Sequence, residues 1–113
     1  MKRTPILADF AHVTTWVFDL DNTLYPPEVR LFDQIERRMT AYVMRTLGIP
    51  AEAADRLRAD YWRLYGTTLA GLMHEHQLDP VPYLEDVHDI SFDGLRPDAG
   101  LMAAIARLPG RRI

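Results

Sequence analysis

The sequence predicts an α/β fold that is mostly helical over these residues, and three observations carry that expectation. Val13-Thr14-Thr15-Trp16-Val17-Phe18 is a β-branched and aromatic run that reads as a strand. Five later stretches repeat apolar residues at three- and four-residue steps, the period of a helix. After the last of them, Pro109-Gly110 leads into Arg111-Arg112-Ile113, which is how an α/β chain enters its next strand.

Each element has its own signal. The strand is apolar without alternation, as suits a central parallel strand covered on both faces, and it runs straight into Asp19. Pro26-Pro27 breaks the chain. From residue 28, Phe32, Ile35, Met39, Tyr42, Val43 and Leu47 mark one face of a first helix, and Gly48 and Pro50 stop it. A second helix, near 52–65, turns Ala54, Leu57, Tyr61, Leu64 and Tyr65 inward and ends at Gly66. A third, near 68–77, uses Leu69, Leu72, Met73 and His76. The fourth takes Asp79 as N-cap and Pro80 as its first residue, and buries Tyr83, Leu84 and Val87. Joined by short links, these four predict a small antiparallel bundle. The chain then loosens through residues 91–96 before a fifth helix near 97–108, with Leu101, Met102, Ile105 and Leu108 inward. The organisation is thus 1–26, first core strand and loop; 27–90, helical insert; 91–113, return to the core.

Composition narrows the chemistry. The 113 residues, 48% apolar and 26% charged, make one ordinary domain rather than two, and exclude wholesale disorder. No apolar run nears the ~18 residues that span a bilayer, and the absence of cysteine excludes disulfides and thiolate chemistry, in keeping with a cytoplasmic protein. A net charge of −3 argues against a dedicated nucleic-acid binder. Ser91 is the only serine and lies outside any nucleophile elbow, Lys2 is the only lysine and belongs to no P-loop, and the six glycines never fall as G-x-G. Carboxylates, arginines and threonines remain.

They concentrate at Asp19-Leu20-Asp21-Asn22-Thr23, at the carboxyl end of the strand, where α/β sheets bind ligands. On an extended backbone, residues two apart point the same way, so Asp19 and Asp21 are expected to converge. Clustered carboxylates repel unless a cation or a proton intervenes, and Mg²⁺ prefers such oxygen ligands together with phosphate. This suggests Asp19 as a metal-bound carboxylate nucleophile toward phosphorus, and Asp21 as the group that protonates the leaving alkoxide and then activates water. Thr23 would orient the loop, and the amides around Leu20, Asp21 and Asn22 would hold phosphate oxygens. An EF-hand is excluded, because Leu24 and Arg30 stand where it needs Gly and Glu.

Phe18-Asp19-Leu20-Asp21-Asn22-Thr23-Leu24-Tyr25 resembles the first motif of the haloacid dehalogenase-like superfamily. Tyr25-Pro26-Pro27, Leu31-Phe32, Tyr65-Gly66-Thr67-Thr68-Leu69, Gly71-Leu72-Met73, Val87-His88-Asp89-Ile90 and Leu108-Pro109-Gly110-Arg111 resemble its pyrimidine 5′-nucleotidase branch. The resemblance implies a Rossmann-like core with a helical cap inserted after the first strand. It also implies Mg²⁺-dependent hydrolysis of a phosphate monoester through a phospho-aspartate. Asp19 would be nucleophile and metal ligand; Asp21 would be general acid/base and give the metal its backbone carbonyl. The expected substrate is a pyrimidine nucleoside monophosphate. Another small ester, such as a sugar phosphate or pyridoxal phosphate, is the alternative within the same chemistry, and a non-enzymatic helical module is the alternative outside it. The resemblance further implies a Ser/Thr ending the second strand, a downstream Lys/Arg and a further acidic pair, none of which falls within these residues. The sequence is therefore expected to be the first part of a larger α/β protein, catalytically incomplete by itself, with both edges of its one strand open.

Other positions carry weaker signals. Thr67 and Thr68 read first as a helix N-cap, and with Tyr25 they are candidates for substrate contact. His74 and His76 lie two apart on a helix and read as surface and packing residues. His88 reads as a helix C-terminal histidine, and Tyr61, Trp62 and Tyr65 as core. Arg37-Arg38 and Arg111-Arg112 read as solvated pairs.

Overall fold

The computed structural model describes all residues, Met1–Ile113. The chain forms two compact units, one made of Met1–Val29 with Leu95–Ile113 and the other of Arg30–Gly94. No helix is long and apolar enough to cross a membrane.

The first unit is built on two short parallel strands, β1 (Thr15–Trp16) and β2 (Arg111–Arg112). The ladder extends past both strands: Arg111 N–H donates to Thr14 O at 2.9 Å, Ile113 N–H to Trp16 O at 2.8 Å, and Phe18 N–H to Ile113 O at 2.9 Å. This corrects the expectation that the strand has no partner. One edge of β1 is closed by the residues after Gly110, and alternation leaves the backbone groups of Thr15 and Val17 facing the open edge. Within these residues the strand is not covered on both faces: Val17 is 76% exposed and Thr15 is exposed. Gly110 makes the close approach possible. Its φ is +90°, and a Cβ there would lie 2.3 Å from Thr14 O. The Trp16 indole N–H donates to Pro109 O at 2.8 Å, which holds the turn into β2, and the Phe10 ring of the 3₁₀ turn Leu7–Phe10 packs against Trp16.

Helix α5 (Ala99–Ala106) precedes β2 and is capped by the Asp98 carboxylate, which accepts from Leu101 N–H at 2.8 Å. Arg112 reaches back and donates to Ala106 O at 2.7 Å, satisfying a carbonyl at the C-terminus of α5, so it is not simply solvated.

In the second unit, α1 (Leu31–Leu47), α2 (Ala51–Tyr65), α3 (Thr68–His76) and α4 (Pro80–Val87) each pack against two of the others, α1 on α2 and α4, and α3 on α2 and α4. Helix α1 starts three residues later than its periodicity suggests, because Pro27–Val29 is a 3₁₀ turn and Arg30 is left-handed (φ 58°). Gly48 closes α1 in the left-handed region. Thr67 caps α3 through Ala70 N–H at 3.0 Å, and Asp79 caps α4 through Val81 N–H at 3.0 Å, with Pro80 at the first position.

Val43, Ala54, Leu72, Tyr83 and Val87 form the buried core, ringed by Ile35, Met39, Tyr42, Leu57, Tyr61 and Leu69. Phe32, Leu64, Met73 and Leu84, expected inside, are exposed, as is Met102 of α5. A four-helix unit of this size gives each helix only two neighbours, so the margin of each apolar stripe has nothing to pack on. Tyr61 lies against Gly71, where a Cβ would be 2.3 Å from Tyr61 Cγ.

Two polar ties link elements distant in sequence. Asp86 of α4 takes Arg38 Nη2 at 2.8 Å and Arg45 Nη2 at 2.5 Å, both from α1, and Arg38 Nε also donates to Asp86 O at 2.6 Å. Arg38 is therefore a tie between helices rather than a solvated charge. At the neck of the unit, the Gln34 amide donates to Ser91 O and accepts from Ser91 N–H, both at 2.9 Å.

Gly71→Ala is expected to lower stability by about 1–3 kcal/mol, since the clash with Tyr61 outweighs the ~1 kcal/mol that alanine adds in a helix; urea unfolding measures this. Burial pushes the Tyr83 phenol up to about 12. A raised folded-state value means the stability is intact below pH ~10 and is lost as pH rises toward 12, by roughly 2–3 kcal/mol in full. The Tyr83 hydroxyl has no hydrogen-bond partner within the protein. Tyr83→Phe is thus expected to keep neutral stability and to flatten this alkaline loss in unfolding curves taken at pH 9–12.

Candidate functional site

The chain leaves β1 at Phe18 and turns at once. Leu24 N–H donates to Leu20 O at 3.0 Å and Thr23 N–H to the same oxygen at 3.3 Å, so residues 20–24 form a single tight turn. Asn22 takes the left-handed conformation (φ 53°), which asparagine tolerates better than most residues.

This turn folds the chain back so that two side-chain pairs four residues apart meet. Thr23 Oγ1 lies 3.1 Å from Asp19 Oδ2 and 3.2 Å from Asp21 O, and its one hydrogen serves either acceptor. Tyr25 Oη donates to Asp21 Oδ1 at 2.9 Å. The link between Asp19 and Asp21 is therefore made by Thr23 and the turn, not by strand alternation, because the extended backbone ends before Asp21. The Tyr25 phenol is held above its ordinary range, first by desolvation and then by the hydrogen bond to Asp21 and its negative charge.

The N–H groups of Leu20 and Asp21 have no hydrogen-bond partner within the protein, whereas the Asn22 N–H is directed at the Tyr25 hydroxyl oxygen, so two of the four positions expected to bind phosphate keep free amides. The N–H of Thr23 is used inside the turn. Asp19 and Asp21 offer oxygen donors of the kind a hard cation prefers, one a carboxylate and one a backbone carbonyl, both on Thr23. Nowhere do three or more histidines and carboxylates gather into a metal-holding group.

The other candidates belong to the four-helix unit. Thr67 is the α3 cap, and Thr68 is buried with its hydroxyl donating to Arg58 O at 3.2 Å. Both line an open groove of about 1090 Å³ beside Phe32, Arg37, Arg58 and Trp62. Trp62, expected in the core, is 69% exposed. His76 shares a hydrogen bond of 2.8 Å with the Tyr61 hydroxyl, and the His74 ring packs near Tyr65. Tyr65 donates to Glu75, which raises the phenol and lowers the carboxyl. His88 Nδ1 lies 2.7 Å from Leu84 O at the end of α4, as a terminal histidine does.

Sequence reading missed the pairing of Tyr25 with Asp21, although both i,i+4 pairs are written in D-x-D-x-T-x-Y.

Fold and site together define a mostly helical chain in which a parallel two-strand nucleus carries a hydroxyl-braced acidic turn. No protein-family profile matches the chain. A curated relative, Phosphate metabolism protein 8 of Saccharomyces cerevisiae, is 28% identical over 99 residues, covering 85% of this chain and 31% of that protein. The chain thus spans about a third of the length of the curated relative it matches.

Thr23→Val is expected to release the Asp19 carboxylate while leaving the Leu24-to-Leu20 turn in place. The check is by NMR, where the Asp19 side-chain signals should broaden or shift and the Leu24 amide should keep its exchange protection.

Proposed function

We propose that these residues supply the nucleophile and the acid/base group of a phosphomonoester hydrolase of the haloacid dehalogenase-like superfamily. The reading covers the activity of the whole protein. The observation that carries it is the acidic turn: Asp19 braced by Thr23, Asp21 beside it, and the unpaired amides of Leu20 and Asp21, at the carboxyl end of a parallel strand. The name of the yeast relative, which concerns phosphate metabolism, supports the same reading.

In this chemistry an Asp19 oxygen attacks phosphorus, forming an Asp–O–P bond as the ester P–O bond breaks, and Asp21 gives its proton to the departing alkoxide. Asp21 then takes a proton from water, which attacks the phospho-aspartate and frees inorganic phosphate. The Leu20, Asp21 and Asn22 amides steady the phosphoryl oxygens throughout. Asp19 and the Asp21 carbonyl would hold Mg²⁺, which when bound offsets the negative charge of the phosphate. The substrate we favour is a pyrimidine nucleoside monophosphate, on the resemblance of the helical segment alone. Transition-state stabilisation for this reaction comes from charges all around the phosphoryl group, and the 113 residues hold one corner of such a site.

Phosphate release by the whole protein, over a panel of nucleotides, sugar phosphates and pyridoxal phosphate, tests this. We expect turnover of a pyrimidine nucleotide that EDTA abolishes and that Asp19→Asn lowers by about 10³-fold or more. We expect none from residues 1–113 alone. Turnover surviving both EDTA and Asp19→Asn would overturn the mechanism, and preference for a non-nucleotide ester would overturn the substrate.

A further inference from the structure

The acidic turn contains a second hydroxyl that the proposed chemistry does not use. Thr23 braces Asp19, and Tyr25 sits on Asp21. We propose that Tyr25 is a positioning residue for Asp21: its phenol O–H holds Oδ1 and leaves Oδ2 as the one oxygen that exchanges a proton with substrate and water. This rests on the phosphomonoesterase reading above and assigns a part of the site that reading leaves open.

A carboxylate on an exposed turn rotates freely about its terminal torsion, and either oxygen can present itself. Proton transfer to a leaving oxygen needs a fixed donor within hydrogen-bond reach. A phenol has one hydrogen, and in Tyr25 it is directed at Oδ1 over 2.9 Å. The backbone between the two residues is itself fixed, because the Leu24 N–H bond to Leu20 O closes the turn that sets their spacing. Pro26 follows directly and limits the backbone of Tyr25 to extended conformations. The anchor for Asp21 is thus local and pre-formed. Tyr25 touches no reacting atom in this scheme and works only through Asp21.

The test uses two esters that differ in their need for a proton. An alkyl phosphate leaves as a strongly basic alkoxide, whereas p-nitrophenyl phosphate leaves as a stable phenolate. In the whole protein, Tyr25→Phe is expected to lower kcat/KM, which reports phospho-aspartate formation and not the water step common to both esters, by about 10- to 100-fold on the alkyl ester, with KM changed less than about twofold. On p-nitrophenyl phosphate the expected loss in kcat/KM is under about threefold. Asp21→Asn should show the same split, enlarged. Equal losses on the two esters, or a change confined to KM, would overturn the assignment while leaving Asp19 and Asp21 in their roles. If instead Asp19→Asn and Asp21→Asn leave phosphate release unchanged, the hydrolase reading itself fails, and the positioning role fails with it.

A second measurement separates the contact from the chemistry. In the 113-residue chain, the unfolding midpoints of Tyr25→Phe, Asp21→Asn and the double variant form a cycle. We expect the double variant to fall no further than the larger single variant, because both remove one hydrogen bond. Additive shifts would show that the two side chains do not interact, and would overturn the proposal.

Discussion

Three backbone hydrogen bonds between residues almost a hundred apart in sequence govern the first unit. Arg111 and Ile113 donate to Thr14 and Trp16, and Phe18 donates to Ile113, so one edge of β1 is closed by residues 111–113. Without this pairing, residues 13–18 are an apolar segment with no ladder partner, and a two-residue strand cannot hold itself extended. Gly110 and Trp16 are the side-chain terms of the same constraint. One allows β2 to approach to backbone contact, and the other ties the preceding turn to β1. Because Phe18 is the last residue so held, the chain is free to turn at Asp19, and the acidic site begins where the ladder ends.

The turn itself converts a strand terminus into a chemical arrangement. Extended backbone would have placed Asp19 and Asp21 on one side by alternation. The tight turn instead gives each carboxylate a hydroxyl partner four residues on, Thr23 for Asp19 and Tyr25 for Asp21. Hydroxyl donors orient carboxyl oxygens without replacing them, and such oxygens are the donors a hard cation prefers.

What the sequence made legible was local. Caps and stops work within one helical turn, and Thr67, Asp79, Pro80 and Gly48 mark the helix ends where the structure has them. The apolar period likewise found Val43, Ala54, Leu72, Tyr83 and Val87. It overreached at Phe32, Leu64, Met73 and Leu84, because a repeat records how apolar a face is but not how wide a neighbour covers it. Ties across long stretches of sequence were invisible. Nothing around Arg38 announces Asp86, 48 residues on, and nothing around Gln34 announces Ser91, 57 residues on. A next strand was legible after Pro109-Gly110, but its pairing with β1 was not: Arg111-Arg112 has the composition of a solvated pair, and only its backbone, not its side chains, makes the ladder. At the site, Asp19 and Asp21 stood out by residue type, whereas their hydroxyl partners depended on a change from extended backbone to a tight turn through a left-handed Asn22 that D-x-D-x-T does not state.

Amide hydrogen exchange of the 113-residue chain, resolved by residue, tests the central pairing most directly. The account expects Phe18, Arg111 and Ile113 to exchange about tenfold or more slowly than Val17, whose N–H faces the open edge. Val17 serves as an internal control on the same strand. Exchange of Phe18 and Ile113 as fast as Val17 would mean that the two strands are not paired, and would remove the support on which the turn at Asp19 stands.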